Sequence, residues 1–377
     1  MADLFEYLSW RADVPFSVDP FNEVDNLILS ELAYADFSDI VPSDGTAIPL
    51  SIMCEMYFET HDRELLKKES SFLAKAPLLM DGMLNGARFQ NMSACCYVNN
   101  IVPERHSQMS AITFLLDDGT MFIAFRGTDN SLTGWREDFD LSYIAETHGQ
   151  ELAVKYLELV ASRFSYPMRV GGHSKGGNFA VFSASFCESL IQERIITVYS
   201  NDGPGFREDV IKAEGYLRVL PKVLSIIPDT SVIGLLLSSL SDQEVIRSTA
   251  TGIMQHDGFT WSVNRNRFVP AELSDTGVFI NRAIDSWIDK LDDNTRRSFT
   301  QTVFSIIEAT EKDSFHEIAR EKLKSLTKMI GSMQNIPKDK QTELLRLAGQ
   351  LLQSGGQVLL EQLPNTLAKN KENKADS

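Results

Sequence analysis

The stretch that decides the fold is "YPMRVGGHSKGGNFAVFSASF", residues 166–186. Met168 to Val170 has β-character. Gly171 and Gly172 follow, then His173, Ser174 and Lys175, then Gly176 and Gly177, and at once an apolar run with helical character. A chain that leaves a strand and enters a helix within five residues must turn sharply. Glycines two before and two after a central residue remove the side chains that would clash in such a turn. Gly172-His173-Ser174-Lys175-Gly176 therefore matches G-x-S-x-G, which presents a serine hydroxyl at the top of a sheet as a nucleophile. The helix that follows aims its N-terminal N–H groups at the same point, where they can stabilise a developing oxyanion. The run lacks G-x-x-x-x-G-K-[ST], so it is no phosphate-binding P-loop.

A serine hydroxyl is a weak nucleophile at neutral pH and needs a base. In the chain order of this motif, the acid and then the base come after the nucleophile. Of six histidines, only His256 and His316 lie downstream. His316 sits in "KDSFHEIAREKL", on a charged helical face, whereas His256 sits in the loop "GIMQHDGFTW". His256 is the expected base. The acid should stand at the end of a later strand. Asp229 in "LSIIPDTSVIG" is the first choice and Asp202 in "YSNDGPGF" the alternative. Asp257, beside the histidine, reads as a turn former. The oxyanion site needs two N–H donors: Lys175, which follows the serine, and Thr128, at the strand end of "FIAFRGTDNSLTGWREDFD". Arg126 and Asp138 are expected as an ion pair bracing that loop.

Around this centre the pattern alternates between strand and helix. "ACCYVNNIV" (94–102) reads as a strand, and "SAITFLLDDGTMFIAFRGT" (110–128) as a hairpin turning at Asp117-Asp118-Gly119. "GQELAVKYLELVASRF" (149–164) repeats Leu152, Tyr156, Leu157 and Val160 at helical spacing. A helix from the serine to about Glu193 and strands at "RIITVYSN" and "KVLSIIP" complete the series. The expectation is an α/β fold with a mostly parallel sheet flanked by helices. It has a helical N-terminal region (1–85), a core (86–270), a helical C-terminal region (271–365) and a charged, disordered tail (366–377).

The linked motifs "FRGTD…GWREDF", "GHSKGGN", "VYSNDGPGF" and "QHDGFTW" resemble the fungal-type (class 3) lipases, and more closely an uncharacterised bacterial family of lipase-like α/β-hydrolases. The resemblance covers residues 20–270. It implies the α/β-hydrolase fold, Ser174 as nucleophile, His256 as base, and Thr128 with Lys175 at the oxyanion hole. Two departures stand out. Lys175 replaces the small or apolar residue usual after the serine, and "NDGPGF" replaces a G-[ST]-P-R segment, so the choice between Asp202 and Asp229 stays open.

Composition bounds the rest. The 377 residues are 43% hydrophobic, enough for a large core. A net charge of −16 disfavours nucleic acid and anionic membrane as partners. The four cysteines (Cys54, Cys95, Cys96 and Cys187) show no CxxC spacing, so neither a metal site nor a cofactor is expected. The start "MADLFEYLSWRADVPF" lacks the pattern of a signal peptide, and residues 219–240 are broken by Lys222, Asp229 and two prolines. A cytoplasmic protein without stable membrane insertion is expected. The function that follows is a serine hydrolase cleaving a small acyl ester or lipid. The alternatives are a thioesterase or acyltransferase with the same triad, or a catalytically silent scaffold on the same fold.

Overall fold

The computed structural model describes residues 1–275, except 70, 106, 130–136, 138, 139 and 145, together with 277, 278, 292, 294–298 and 301. The expected helical region at 271–365 and the tail at 366–377 therefore fall almost wholly outside the described residues.

One eight-stranded sheet organises the chain, with its strands side by side in sequence order. They are β1 (Ile48–Pro49), β2 (Ser93–Val102), β3 (Ser107–Leu115), β4 (Met121–Phe125), β5 (Met168–His173), β6 (Ile195–Asn201), β7 (Val223–Pro228) and β8 (Gln243–Ile246). β1 to β4 pair antiparallel, and β4 to β8 pair parallel. The β3–β4 hairpin turns at Asp117-Asp118-Gly119 as its sequence predicts, with Gly119 at φ +75°. Helices cross between the parallel strands. α1 (Leu4–Arg11), α2 (Glu23–Leu32), α3 (Leu50–Thr60) and α4 (Leu79–Leu84) precede them. α5 (His148–Arg163), α6 (Lys175–Phe186) and α7 (Glu214–Val219) lie between β4 and β7. This is the α/β-hydrolase fold.

Alternation along each strand builds two cores. On β4, Phe122 and Ala124 join the N-terminal helices in one cluster. Met121, Ile123 and Phe125 join α5 and α6 in the other. Each such phenylalanine removed from water stabilises by about 1.5–3 kcal/mol. α2 starts on an Asn22–Asp25 capping box and α5 on a Thr147–Gln150 box, so both have fixed first turns. α2 is the N-terminal helix that reaches the sheet's functional end. Asn26 Nδ2 donates to Asn201 Oδ1 at 2.8 Å, and at its base the buried Arg88 pairs with the buried Asp25. The helix predicted from the serine to Glu193 is two helices, Lys175–Phe186 and Ser189–Arg194, parted at Cys187-Glu188.

Candidate active site

Ser174 stands between β5 and α6 with φ 57° and ψ −132°. A non-glycine residue rarely adopts this backbone, and the neighbours hold it there. Its N–H donates to the Asn201 carbonyl at 2.9 Å, and its carbonyl accepts from Gly177 N–H at 2.9 Å. The flanking glycines are required by contact. A Cβ on Gly176 would lie 2.1 Å from the Phe125 carbonyl oxygen, and one on Gly172 would lie 2.4 Å from the Gly176 backbone. The end of β4 presses on the same turn, where a Cβ on Gly127 would lie 2.5 Å from the His173 carbonyl oxygen and 3.0 Å from Ser174 Cβ. Thr128, next along, is buried beside it. Arg126 donates to Asn99 Oδ1 at 3.2 Å and pairs with Asp129 at 3.7 Å. Its expected partner Asp138 lies outside the described residues, as does His316.

The two candidate acids occupy different places. Asp202 is fully buried, just past the end of β6, with φ 48°. Its Oδ2 accepts from His256 Nδ1 at 2.6 Å, and its Oδ1 accepts from Ser231 Oγ and from Gly234 N–H at 3.0 Å. Asp229 makes no hydrogen bond to the His256 ring among the described residues. Its Oδ1 accepts from Gln255 Nε2 at 2.7 Å, and Gln255 Oε1 accepts from Thr230 N–H at 2.8 Å. Asp229 thus braces the residue before the histidine, and the first-choice pairing of Asp229 with His256 gives way to Asp202. The reason is register. β7 runs on past the level where β6 ends, and Asp202 N–H ties back to the Ile226 carbonyl at 2.8 Å. Asp257 caps its own turn, accepting from Phe259 N–H at 3.0 Å.

His256 is held from the serine side by His173, a residue to which sequence reasoning gave no role. His173 Nε2 donates to the His256 carbonyl at 2.7 Å, its Nδ1 accepts from Tyr34 Oη at 3.0 Å, and the two imidazole centroids are 4.6 Å apart. Burial, reinforced by His256, keeps His173 neutral, with its pKa well below the usual histidine value. The ring of His256 is thus packed against the residue preceding Ser174. Among the described residues, Ser174 Oγ and the His256 ring are not joined by a hydrogen bond. With Nδ1 on Asp202, Nε2 is the ring nitrogen left to take a proton.

Behind His173, Glu31 on α2 is wholly buried, with Oε1 3.7 Å from His173 Nδ1. Neither carboxyl oxygen has a hydrogen-bond partner among the described residues. Burial, then the nearby Asp257 carboxylate, push its pKa well up, with Lys75 opposing.

Lys175, the unusual residue after the serine, sends its side chain inward. Nζ pairs with Glu137 Oε2 at 3.1 Å, and both side chains are buried. Glu137 also accepts from the N–H groups of Gln108 and Gly149, each at 2.9 Å. One carboxylate therefore joins the start of α6, the start of α5 and strand β3. The only sequence signal was the departure from a small residue at Lys175.

Among the described residues, no cluster of His, Cys, Asp and Glu is set to hold a metal ion, and no helix is long and apolar enough to cross a membrane.

The family described as Mbeg1-like matches residues 83–305, which includes every residue of this site from Thr128 to His256. The chain belongs to the Mbeg1-like family. No curated protein matches it in sequence. Among solved structures, native Rhizomucor miehei lipase in its propeptide complex aligns over 48% of this chain and 71% of its own, at 15% identity and a TM-score of 0.34. M37 lipase aligns over 87% of this chain and 97% of its own, at 14% identity and a TM-score of 0.34. For this Mbeg1-like chain the fold rests on the strand order and pairing of its own sheet, not on those alignments.

Proposed function

We propose that this Mbeg1-like protein is a serine hydrolase that cleaves carboxylic esters through an acyl-enzyme. The observation that carries the reading is the 2.6 Å Asp202–His256 hydrogen bond, with the histidine packed on the residue before a strained Ser174. In the proposed reaction Ser174 Oγ attacks the ester carbonyl carbon and His256 Nε2 takes its proton. Asp202 keeps Nδ1 protonated and stabilises the imidazolium. The carbonyl oxygen, now negative, accepts from the Lys175 and Thr128 N–H groups. Collapse breaks the bond to the alcohol, which leaves with the proton from His256. Water then attacks the acyl-enzyme by the same route and regenerates Ser174. Hydrogen bonds between nucleophile and base commonly tighten only once substrate is bound, so the unjoined Ser174–His256 pair is compatible with this chemistry.

An acyl chain or lipid is the substrate class we favour. Val232, Ile233 and Leu235 to Leu237 form a half-buried apolar run around Gly234, whose N–H holds Asp202. Turnover of a panel of p-nitrophenyl esters graded by chain length, beside Ser174→Ala, tests the reading. Hydrolysis that Ser174→Ala abolishes supports it. Hydrolysis that survives the substitution contradicts it. The second reading, a silent scaffold, draws on the missing direct Ser174–His256 hydrogen bond and predicts no turnover by either protein.

A further inference from the structure

Cys95 and Cys96 are consecutive residues of β2. In a regular strand, consecutive side chains point to opposite faces of the sheet. Here the register slips. Cys95 pairs with Thr113 and Val98 with Ala111, so three steps along β2 match two along β3. Cys96 takes the left-handed region, φ 57°, as the extra residue of the bulge. The flanking Ala94 and Tyr97 belong to the core under the N-terminal helices, whereas both cysteines belong to the core under α5 and α6. The bulge has turned two neighbouring thiols onto one face. Both are free and buried on that face.

A cation stands on one of them. Arg163 Nη1, at the end of α5, donates to Cys96 Sγ at 3.6 Å and to the Ser43 carbonyl at 2.6 Å. Ser43 and Asp44 line a polar pocket of about 420 Å³, together with Tyr97 and Asn99 from the same strand. Arg163 therefore links the Cys96 sulfur to Ser43, a residue that lines this hollow. The adjoining Cys95 thiol, with Arg163 adding to its effect against burial, brings the Cys96 thiol down to about 7. The neighbouring Cys96 and burial hold Cys95 up. The guanidinium at 3.6 Å distinguishes the two sulfurs: it favours the thiolate on Cys96 and not on Cys95.

We propose that Cys95 and Cys96 form a redox-active vicinal dithiol, with Cys96 as the attacking sulfur and small hydroperoxides as its oxidant. The Cys96 thiolate attacks one peroxide oxygen and the O–O bond breaks. The sulfur is oxidised to a sulfenic acid, and the peroxide's other oxygen leaves as alkoxide or hydroxide and takes up a proton. Cys95 gives up its proton and attacks the Cys96 sulfur. The S–S bond forms, the S–O bond breaks and water leaves. Two thiols and one hydroperoxide give one disulfide, one alcohol (or water) and one water. Adjacent Cα atoms are about 3.8 Å apart, closer than the range of about 4.4–6.8 Å that relaxed disulfides span. The product is therefore strained and easily reduced, as a reversible modification requires.

The test uses the full chain under native conditions with hydrogen peroxide, read by intact mass and peptide mapping. The expected result is a loss of two hydrogens confined to the peptide holding both cysteines, reversed by dithiothreitol and blocked by prior treatment with phenylarsine oxide. In Cys95→Ser, dimedone should trap a sulfenic acid on Cys96. Arg163→Gln should slow the oxidation. Met254, which is 64% exposed, reports that oxidant reached the protein. A reduced pair beside an oxidised Met254 overturns the proposal. So does Cys96→Ser if its Cys95 oxidises as fast as the native pair. The readout is a mass on β2, so it fails or succeeds independently of ester hydrolysis at Ser174.

Discussion

His256 Nδ1 donates to Asp202 Oδ2 at 2.6 Å, across the gap between the end of β6 and the loop that follows β8. The carboxylate accepts twice more through Oδ1, from Ser231 and Gly234, so it is fixed before it orients the ring. Asp229 reaches the same loop through Gln255 alone.

The two aspartates should separate in kinetics. In the proposed triad, Asp202→Asn leaves the geometry but offers His256 the wrong tautomer, and kcat should fall about 10⁴-fold. Asp229→Asn removes a charge but keeps an oxygen that can accept from Gln255, a neighbour of the base, and the loss should be about tenfold or less. Equal losses in kcat/KM for the two variants contradict this division.

Lys175→Met should cost about 3–5 kcal/mol of stability, because it leaves the buried Glu137 charge without its cation. Urea titration of the variant measures it. A change under about 1 kcal/mol, the scale of an exposed pair, means that the ion pair does not brace the turn.

Much of this architecture was legible in the sequence, and what was not has a physical cause. The Ser174 turn was readable because its requirement is local: Gly172 and Gly176 sit where a Cβ would meet backbone a few residues away or one strand over. The β3–β4 hairpin was readable from Asp-Asp-Gly for the same reason. The choice of acid was not, because Asp202 and Asp229 both follow strands, and only the relative heights of β6 and β7 decide which meets His256. Lys175 looked anomalous because its partner Glu137 lies far from it in sequence, before α5. The break at Cys187-Glu188 carries no glycine or proline to announce it.

His173 predicts an acid limit. Its folded pKa lies well below the ordinary value of about 6.5, while the unfolded chain titrates there. The unfolded state binds the extra proton, so stability is full above about pH 6.5 and is lost as pH falls through the folded value. His173→Gln should flatten that limb of a thermal-stability profile against pH. An unchanged slope means that some other group carries it.

Glu31 has the opposite sign. Its folded pKa is raised, so the unfolded chain loses its proton first, near pH 4.3. Its ionisation contributes nothing below that pH and destabilises increasingly as pH rises toward the folded value. Glu31→Gln should therefore gain melting temperature over the native protein by an amount that grows from pH 4 to neutrality. A difference constant with pH contradicts a raised Glu31 pKa.

The most direct test of the hydrolytic centre is labelling of the native chain with a fluorophosphonate, which reports an activated serine without knowledge of the substrate. The account predicts one adduct, on Ser174, lost in Ser174→Ala and strongly slowed in His256→Ala and Asp202→Asn. A folded protein that takes no label under conditions that label a control esterase, or takes it on another serine, contradicts the account.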